Sequence, residues 1–309
     1  MTLRVGVIGV GHLGQHHARI FAAMPDIDLV GVADTRPDRA QTIAAQYGTA
    51  ALRDSSALLE KVDAVTVAVP TVSHLEVALP FLERRIPVLI EKPIASSLLE
   101  ADTLVAAAER TGTLLATGQT ERFNPAVAAA RPLIRNPRFI EVHRLGVFPE
   151  RSLDIDVVFD LMIHDLDLLL ALVGSEVQSV EAVGVAVLTP RTDIANARIR
   201  FASGCIANLT ASRISRDRVR KIRFFQHDAY VSIDYAAREV EVYRLVPQDG
   251  RPAIQGGRLE TSKDEPLRIE LEDFVNAIRD RRAPQVTGRA GRDALALATQ
   301  VSQQMELTT

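Results

Sequence analysis

Residues 3–118 alternate between short β-branched runs and alanine-rich stretches of helical period. The strands read "LRVGVIG", "IDLVGVAD", "DAVTVAV", "PVLIE" and "TLLATG", with helices expected over 13–24, 36–47, 74–85 and 96–111. Strand and helix in strict alternation require right-handed crossovers, which produce a parallel sheet covered by helices on both faces. A doubly wound α/β domain of the Rossmann type is expected over residues 1–118.

The turn after the first strand reads Gly9-Val10-Gly11-His12-Leu13-Gly14 and opens a helix. In such a turn the first glycine allows the bend, the second lets the backbone approach a pyrophosphate, and the third permits close helix-to-strand packing. Asp34, at the end of the second strand, is placed to accept hydrogen bonds from a ribose hydroxyl. Its charge repels a 2'-phosphate, so NAD is the expected cofactor, with NADP possible because Arg36 is near. Ligands of open α/β sheets bind beyond the carboxyl ends of the strands. That rule places Pro70, Thr71 and His74, after the third strand, and Glu91 and Lys92, ending the fourth, beside the cofactor. For His74 a hydrogen bond at the helix start is the competing use. For Lys92 it is an ordinary solvated lysine.

The pattern changes beyond Gly118. Helices are expected near 124–135 and 156–173, then a run of strands over 177–246, a loop over 247–265, and helices near 268–281 and 291–306. The short turns between these strands suit an antiparallel sheet, so residues 119–309 read as a second, α+β domain. A chain of 309 residues also exceeds the size at which one core keeps growing.

Within the second domain, "DVVFDLMIHDLDLLL" at 156–170 carries four aspartates and a histidine through an apolar run. On a helix of about 100° per residue, Asp156, Asp160, His164 and Asp167 form one narrow stripe, and Asp165 points elsewhere. Most of the remaining circumference is leucine, so the stripe is expected to line a cleft, with Asp167 as a structural partner. A metal is not expected, because divalent sites usually draw ligands from several elements and no companion cluster is visible.

Composition narrows the classes. Hydrophobic residues make up 47% and charged residues 24%, which is globular, and a net charge of -3 gives no support for a nucleic-acid partner. No segment approaches the roughly 20 apolar residues of a membrane span. The single cysteine, Cys205, cannot form an intrachain disulfide, and the N-terminus lacks the features of a secretory signal, so a cytoplasmic location is expected.

Taken in order, the glycine motif with Asp34, "PTVSH" at 70–74, "EKP" at 91–93, "RFNPA" at 122–126 and Asp160-x-x-x-His164 resemble the glucose–fructose oxidoreductase/inositol dehydrogenase/rhizopine catabolism (Gfo/Idh/MocA) family of NAD(P)-dependent oxidoreductases. The resemblance covers essentially the whole chain. It implies a Rossmann domain followed by an α+β domain with a large open antiparallel sheet. It also implies oxidation of a sugar or cyclitol secondary alcohol, with Lys92, Asp160 and His164 as catalytic residues. Such a reaction needs a proton acceptor with a pKa near the working pH, and an unperturbed histidine sits at about 6.5. The competing reading of Asp160 and His164 is a plain i,i+4 helix pair.

Two features bear on substrate. The glycine-rich turn common before the family's catalytic helix is absent, its place taken by "IDVVFD", and the turn at 226–230 is "QHDAY". The segment "SRISRDRVRKIRFF" at 212–225 concentrates positive charge, which suits a diphosphate because arginine forks bind phosphate oxygens bidentately. Together with "DLMIHDLDLLLALVG" and "RKIRFFQHDAYVSIDY", the chain resembles the nucleotide-sugar members of the family, those acting on UDP-N-acetylglucosamine in particular. Arg122 and Asn124, at the crossover between the domains, are expected substrate contacts, and Arg213 is the expected contact from the basic segment. The same arginines also suit an edge strand protected from aggregation. A free sugar, inositol or dihydrodiol substrate is the alternative, and a non-catalytic dinucleotide sensor is the alternative of another class. Association of copies through the open sheet is expected.

Overall fold

The computed structural model describes residues 2–148, 155–248 and 251–306, and the chain divides into two compact units. The first comprises Met1–Thr120 and Leu267–Leu295, the second Glu121–Pro266 and Ala296–Thr309. The first boundary falls two residues from the expected one. The unexpected part is the return of residues 267–295 to the first unit.

The first unit contains β1 (Leu3–Ile8), α1 (Gly14–Ala22), β2 (Ile27–Ala33), α2 (Pro37–Tyr47), β3 (Ala50–Leu52), β4 (Ala64–Val67), α3 (His74–Glu83), β5 (Val88–Glu91), α4 (Leu98–Thr111) and β6 (Leu115–Gly118). All pairings between these strands are parallel, in the order β3-β2-β1-β4-β5-β6. The order reverses at β1, so the crevice that accepts ligands in such sheets opens beyond its carboxyl end, at the glycine motif. The three-residue β3, too short to show a period, was not foreseen.

The second unit runs through α5 (Pro125–Ala130), β7 (Phe139–Leu145), α6 (Ile163–Val173), β8 (Val177–Val185), β9 (Ile194–Phe201), β10 (Ile206–Ser212), β11 (Val219–Phe225), β12 (Ala229–Asp234), β13 (Glu239–Gln248) and β14 (Arg251–Leu259). These strands form one sheet in the order β14-β13-β12-β11-β7-β10-β9-β8. It is antiparallel throughout except where β7 pairs parallel with β10. Two strands escape the sequence pattern for physical reasons. In β7 an arginine, Arg144, occupies the inward position beside Ile140 and Val142 and is buried. β14, within the stretch expected to be a loop, is an edge strand containing Pro252, Gly256 and Gly257, residues that sequence patterns disfavour in sheets.

Ile222, Phe224, Val231 and Ile233 are buried on the face of this sheet that Ile140 and Val142 share. The opposite face bears polar pairs, such as Arg223 with Glu141 and Arg258 with Glu239. A row of aromatic rings crosses it, Phe139, Phe225, Tyr230 and Tyr243, with successive centroids 5.6, 5.3 and 6.2 Å apart.

The last two helices are α7 (Pro266–Arg279) and α8 (Gly288–Glu306). Leu271, Phe274 and Val275 of α7 join Val7, Phe21, Leu89 and Ala116 in the core of the first unit. The start of α8 lies on β6 through two glycines. A Cβ at Gly288 would fall 2.5 Å from Leu115 Cδ2, and one at Gly291 2.2 Å from Thr117 Oγ1. Burial of the apolar stripe of α7 and this close approach tie residues 267–295 to the Rossmann sheet. No helix of the described residues is long and apolar enough to cross a membrane.

Thr117 is β-branched and sits in a strand, so it yields little to a larger neighbour. Gly291→Val is expected to lower the unfolding free energy by about 1–3 kcal/mol, read as a lower urea midpoint.

Candidate active site

The glycine turn is packed behind and open in front. Gly9 adopts φ +81°, and a Cβ there would fall 2.7 Å from the Ala68 carbonyl oxygen. A Cβ at Gly14 would lie 1.7 Å from the Gly9 carbonyl oxygen, so only glycine lets α1 start this close to the strand. At Gly11 a Cβ would meet nothing within 4 Å, which leaves room for a ligand against the backbone. His12 and Leu13 lie exposed on the turn.

Two side chains hold this turn. Asp34 accepts from the Val10 N–H at 3.0 Å and from the Arg36 N–H at 2.9 Å. Arg39, which sequence reasoning missed, donates from Nε to the Val10 carbonyl at 2.7 Å and from Nη2 to Gln15 Oε1 at 2.9 Å. A carboxylate has about four acceptor positions, so Asp34 retains capacity for ribose hydroxyls. Backbone N–H groups at a helix start favour an anion. Together, the open front at Gly11, the start of α1 and the Asp34 carboxylate fit a dinucleotide. The Arg36 side chain is largely exposed, with Nε 3.9 Å from Asp34 Oδ1.

Pro70 is exposed and Thr71 half-buried on the turn after β4. His74 is 1% exposed and faces the backbone. Its Nδ1 lies 3.0 Å from the Pro93 carbonyl oxygen, and its Nε2 lies 3.0 Å from that of Val69. The ring is thus held by backbone carbonyls from the two strand ends and caps no helix N–H, so neither the expected cofactor contact nor the helix-start hydrogen bond is the use the structure gives it. Glu91 is corrected in the same way. Its carboxylate is buried and lies 3.0 Å from Nε2 of His17, a residue of α1 that sequence reasoning also missed. The signal was available, since Gly14, His17, Ala18 and Phe21 form one buried i, i+3, i+4, i+7 stripe. Lys92 follows Glu91 and is half-buried.

In the second unit the expected stripe helix is not a uniform α-helix. Val158–Met162 form a π-turn that leads into α6, and such turns often accompany functional sites. The widened turn breaks the 100° register, so the four residues are not equivalent. Asp156 precedes the turn and accepts from the Thr192 N–H at 2.9 Å. Asp160, in the turn, and His164, at the start of α6, are half-buried. Asp167 is buried and holds Arg122, with Nε to Oδ2 at 2.6 Å and Nη2 to Oδ1 at 2.9 Å. Asp165, expected to point elsewhere, is buried against Arg144, which also donates to Glu121. Burial pushes both aspartate carboxyls up, against the pull of Arg122 on Asp167 and of Arg144 on Asp165.

The substrate contacts expected of this unit are revised. Asn124 is buried, caps α5 by accepting from the Ala126 N–H, and donates to the Tyr235 carbonyl. Arg213 is 2% exposed and donates to Asp193 Oδ1 at 2.9 Å and to the Ile155 and Thr192 carbonyls. Both side chains are committed to internal partners. Arg122 is largely so, through Asp167. Of the remaining cations of that segment, Arg216 and Arg218 are exposed between β10 and β11. Lys221 and Arg223, on the sheet's polar face, pair with Asp234 and Glu141.

Comparison with known proteins identifies the family and the fold. Residues 3–119 match the model of an oxidoreductase family with an NAD-binding Rossmann fold, and residues 141–230 match the GFO/IDH/MocA C-terminal domain. The chain is 42% identical over 304 residues to UDP-N-acetylglucosamine 3-dehydrogenase of Acidithiobacillus ferrooxidans, covering 97% of this chain and 96% of that protein. It is 27% identical to myo-inositol 2-dehydrogenase of Thermotoga maritima, covering 98% and 96%. The solved structure of UDP-N-acetylglucosamine 3-dehydrogenase GnnA from Acidithiobacillus ferrooxidans superposes with a TM-score of 0.93 at 40% identity, covering 99% of each chain.

Arg213 and Asp193 form a buried pair whose other bonds are internal. Burial pushes the Asp193 carboxyl up, but donors from Leu188, Thr189 and Val187 overcome this and hold it well below the usual carboxylate range. Removing the arginine leaves a buried charge, so Arg213→Leu is expected to cost about 3–5 kcal/mol in urea unfolding. A depressed folded pKa contributes stability that is present above the unfolded value, near 3.9, and lost as pH falls below it. The unaltered protein should therefore lose stability below about pH 4 more steeply than Asp193→Asn.

Proposed function

The chain belongs to the Gfo/Idh/MocA family of NAD-binding oxidoreductases, and from that premise we propose that it oxidises the C3 hydroxyl of UDP-N-acetylglucosamine to a ketone. The observation that carries the substrate is the 42% identity, over nearly the full length of both chains, to a dehydrogenase named for that reaction. NAD, when bound at the glycine turn, accepts the hydride. The protein's own task is then to hold the sugar and remove the hydroxyl proton.

Lys92 and His164 are assigned as acceptors of that proton, with Asp160, four residues before His164, as the carboxylate that orients the histidine. Only four of the chain's 36 cationic side chains are lysines, so lysine at position 92 is not this chain's default cation. Arginine stays charged in proteins, whereas a lysine amine can release its proton when partly desolvated. Lys92 is half-buried just beyond the carboxyl end of β5, an interior strand, where that property is usable.

Exposed Arg216 and Arg218 supply charge for the diphosphate of the substrate, taking the place first given to Arg213. Gly9, Gly11, Gly14 and Asp34 hold the dinucleotide. Self-association uses the polar and aromatic face of the second sheet, where Phe139, Phe225, Tyr230 and Tyr243 form a continuous row. A cytoplasmic enzyme accords with one buried cysteine.

NADH absorbance should rise with UDP-N-acetylglucosamine and NAD, and far less with myo-inositol. Preference for the cyclitol would assign the chain instead with its inositol-dehydrogenase relatives. Lys92→Ala and His164→Ala should each lower kcat by about 10²–10⁴-fold while NAD still binds. Full turnover in both would refute the catalytic assignment.

A further inference from the structure

Two buried histidines flank the Glu91-Lys92-Pro93 segment, and the chemistry above uses neither. His17 comes from α1, three residues after the last glycine of the turn, and its Nε2 lies 3.0 Å from Glu91 Oε1. His74 opens α3, and its ring lies between the carbonyl of Val69, two residues past the end of β4, and those of Pro93 and Ile94 at 3.0 and 3.3 Å. The two rings are 0% and 1% exposed, so water does not compete for their contacts. Burial favours the neutral form of His74, whose single N–H, placed on Nδ1, points at the Pro93 and Ile94 carbonyls.

The two anchors lie on opposite sides of Lys92. On the amino side β5 is still in the sheet, with Glu91 opposite Gly118 of β6. A Cβ at Gly118 would lie 3.0 Å from the Glu91 carboxylate, so the glycine makes room for that side chain beneath the strand. On the carboxyl side the strand pairing has ended. The Pro93 and Ile94 carbonyls meet the His74 ring where a strand would offer backbone N–H groups. A lysine on a four-carbon stem loses much rotamer freedom when held in one place, so fixing its backbone on both sides is the economical way to aim the amine.

We infer that His17 and His74 are positioning residues that set where the Lys92 amine stands, His17 through the Glu91 carboxylate and His74 through the Pro93 and Ile94 carbonyls. The inference rests on the reading of Lys92 as a proton acceptor. It extends that reading to two residues that touch neither substrate nor cofactor. Both histidines begin from elements at the ligand-binding edge, α1 at the glycine turn and α3 after Thr71.

The test uses His17→Leu and His74→Leu beside the conservative His17→Gln, which keeps a donor at the Nε2 position, and His74→Asn, which keeps one at the Nδ1 position. The leucine variants should lower kcat by about 100-fold, the scale of an ångström-sized misplacement. KM and NADH affinity should stay near those of the unaltered protein, and the conservative variants should recover most of the loss. A second readout needs no turnover: acetylation of Lys92 by acetic anhydride at fixed pH, followed by mass spectrometry against Lys61, Lys221 and Lys263. Its relative rate should change in the leucine variants and return in the conservative ones.

If His17→Leu does not fold, the double variant His17→Leu/Glu91→Leu removes both buried partners, which is far less costly than orphaning one. The same changes in kcat and labelling are expected of it. Folded leucine or double variants with unchanged kcat and unchanged Lys92 labelling would overturn the inference. Lys92→Ala separates the two claims. Full turnover there refutes the role of Lys92, whereas loss of turnover there together with unaffected histidine variants refutes the positioning.

Discussion

The missing side chain at Gly14 controls the approach of α1 to the strand ends. With a Cβ only 1.7 Å from the Gly9 carbonyl, any other residue would push the helix away from the sheet. That approach aims the start of α1 at the space left open by Gly11. It also brings His17, one turn further along, within 3.0 Å of Glu91 on β5. One steric constraint thus links the dinucleotide turn to the strand that carries Lys92. Asp34 and Arg39 complete the arrangement by taking up backbone groups of the turn.

The second unit is organised by charges that point inward. Arg144 meets Asp165 and Glu121, Arg122 meets Asp167, and Arg213 meets Asp193. Such pairs add little net stability over well-packed apolar residues, but each demands its partner, because one charge left alone is costly. Two of them join α6 to neighbouring segments, to β7 through Arg144 and to the turn before α5 through Arg122. They hold the helix whose first residues follow the π-turn bearing Asp160. Asp160 and His164 therefore stand on an element whose position within its unit is tightly specified.

Much of this was legible in the chain. The alternation over residues 3–118, the glycine turn, Asp34, and Lys92 at a strand end follow from local period and spacing, which a sequence displays directly. The apolar surround of the 156–173 segment was legible too, but its register was not. An α-helical wheel assumes 3.6 residues per turn, and the π-turn at Val158–Met162 departs from it. β7 was hidden because its inward arginine reads as polar, and β14 because an edge strand needs little apolar pattern.

The sequence by itself determined the fold class, the family and the edge of the sheet where ligands bind, because these rest on periodicity and on residues with unusual backbone freedom. Tertiary structure alone decided which polar residues keep an accessible face and which turn inward to hold the fold. Glu91, His74, Asn124 and Arg213 carry polar groups suited to a ligand, yet all turn inward. Glu91 finds its partner 74 positions away in the chain and Arg213 finds Asp193 20 away. A sequence shows that a side chain is charged, but its direction depends on the lowest-cost partner once water is excluded, and that partner is brought near only by folding.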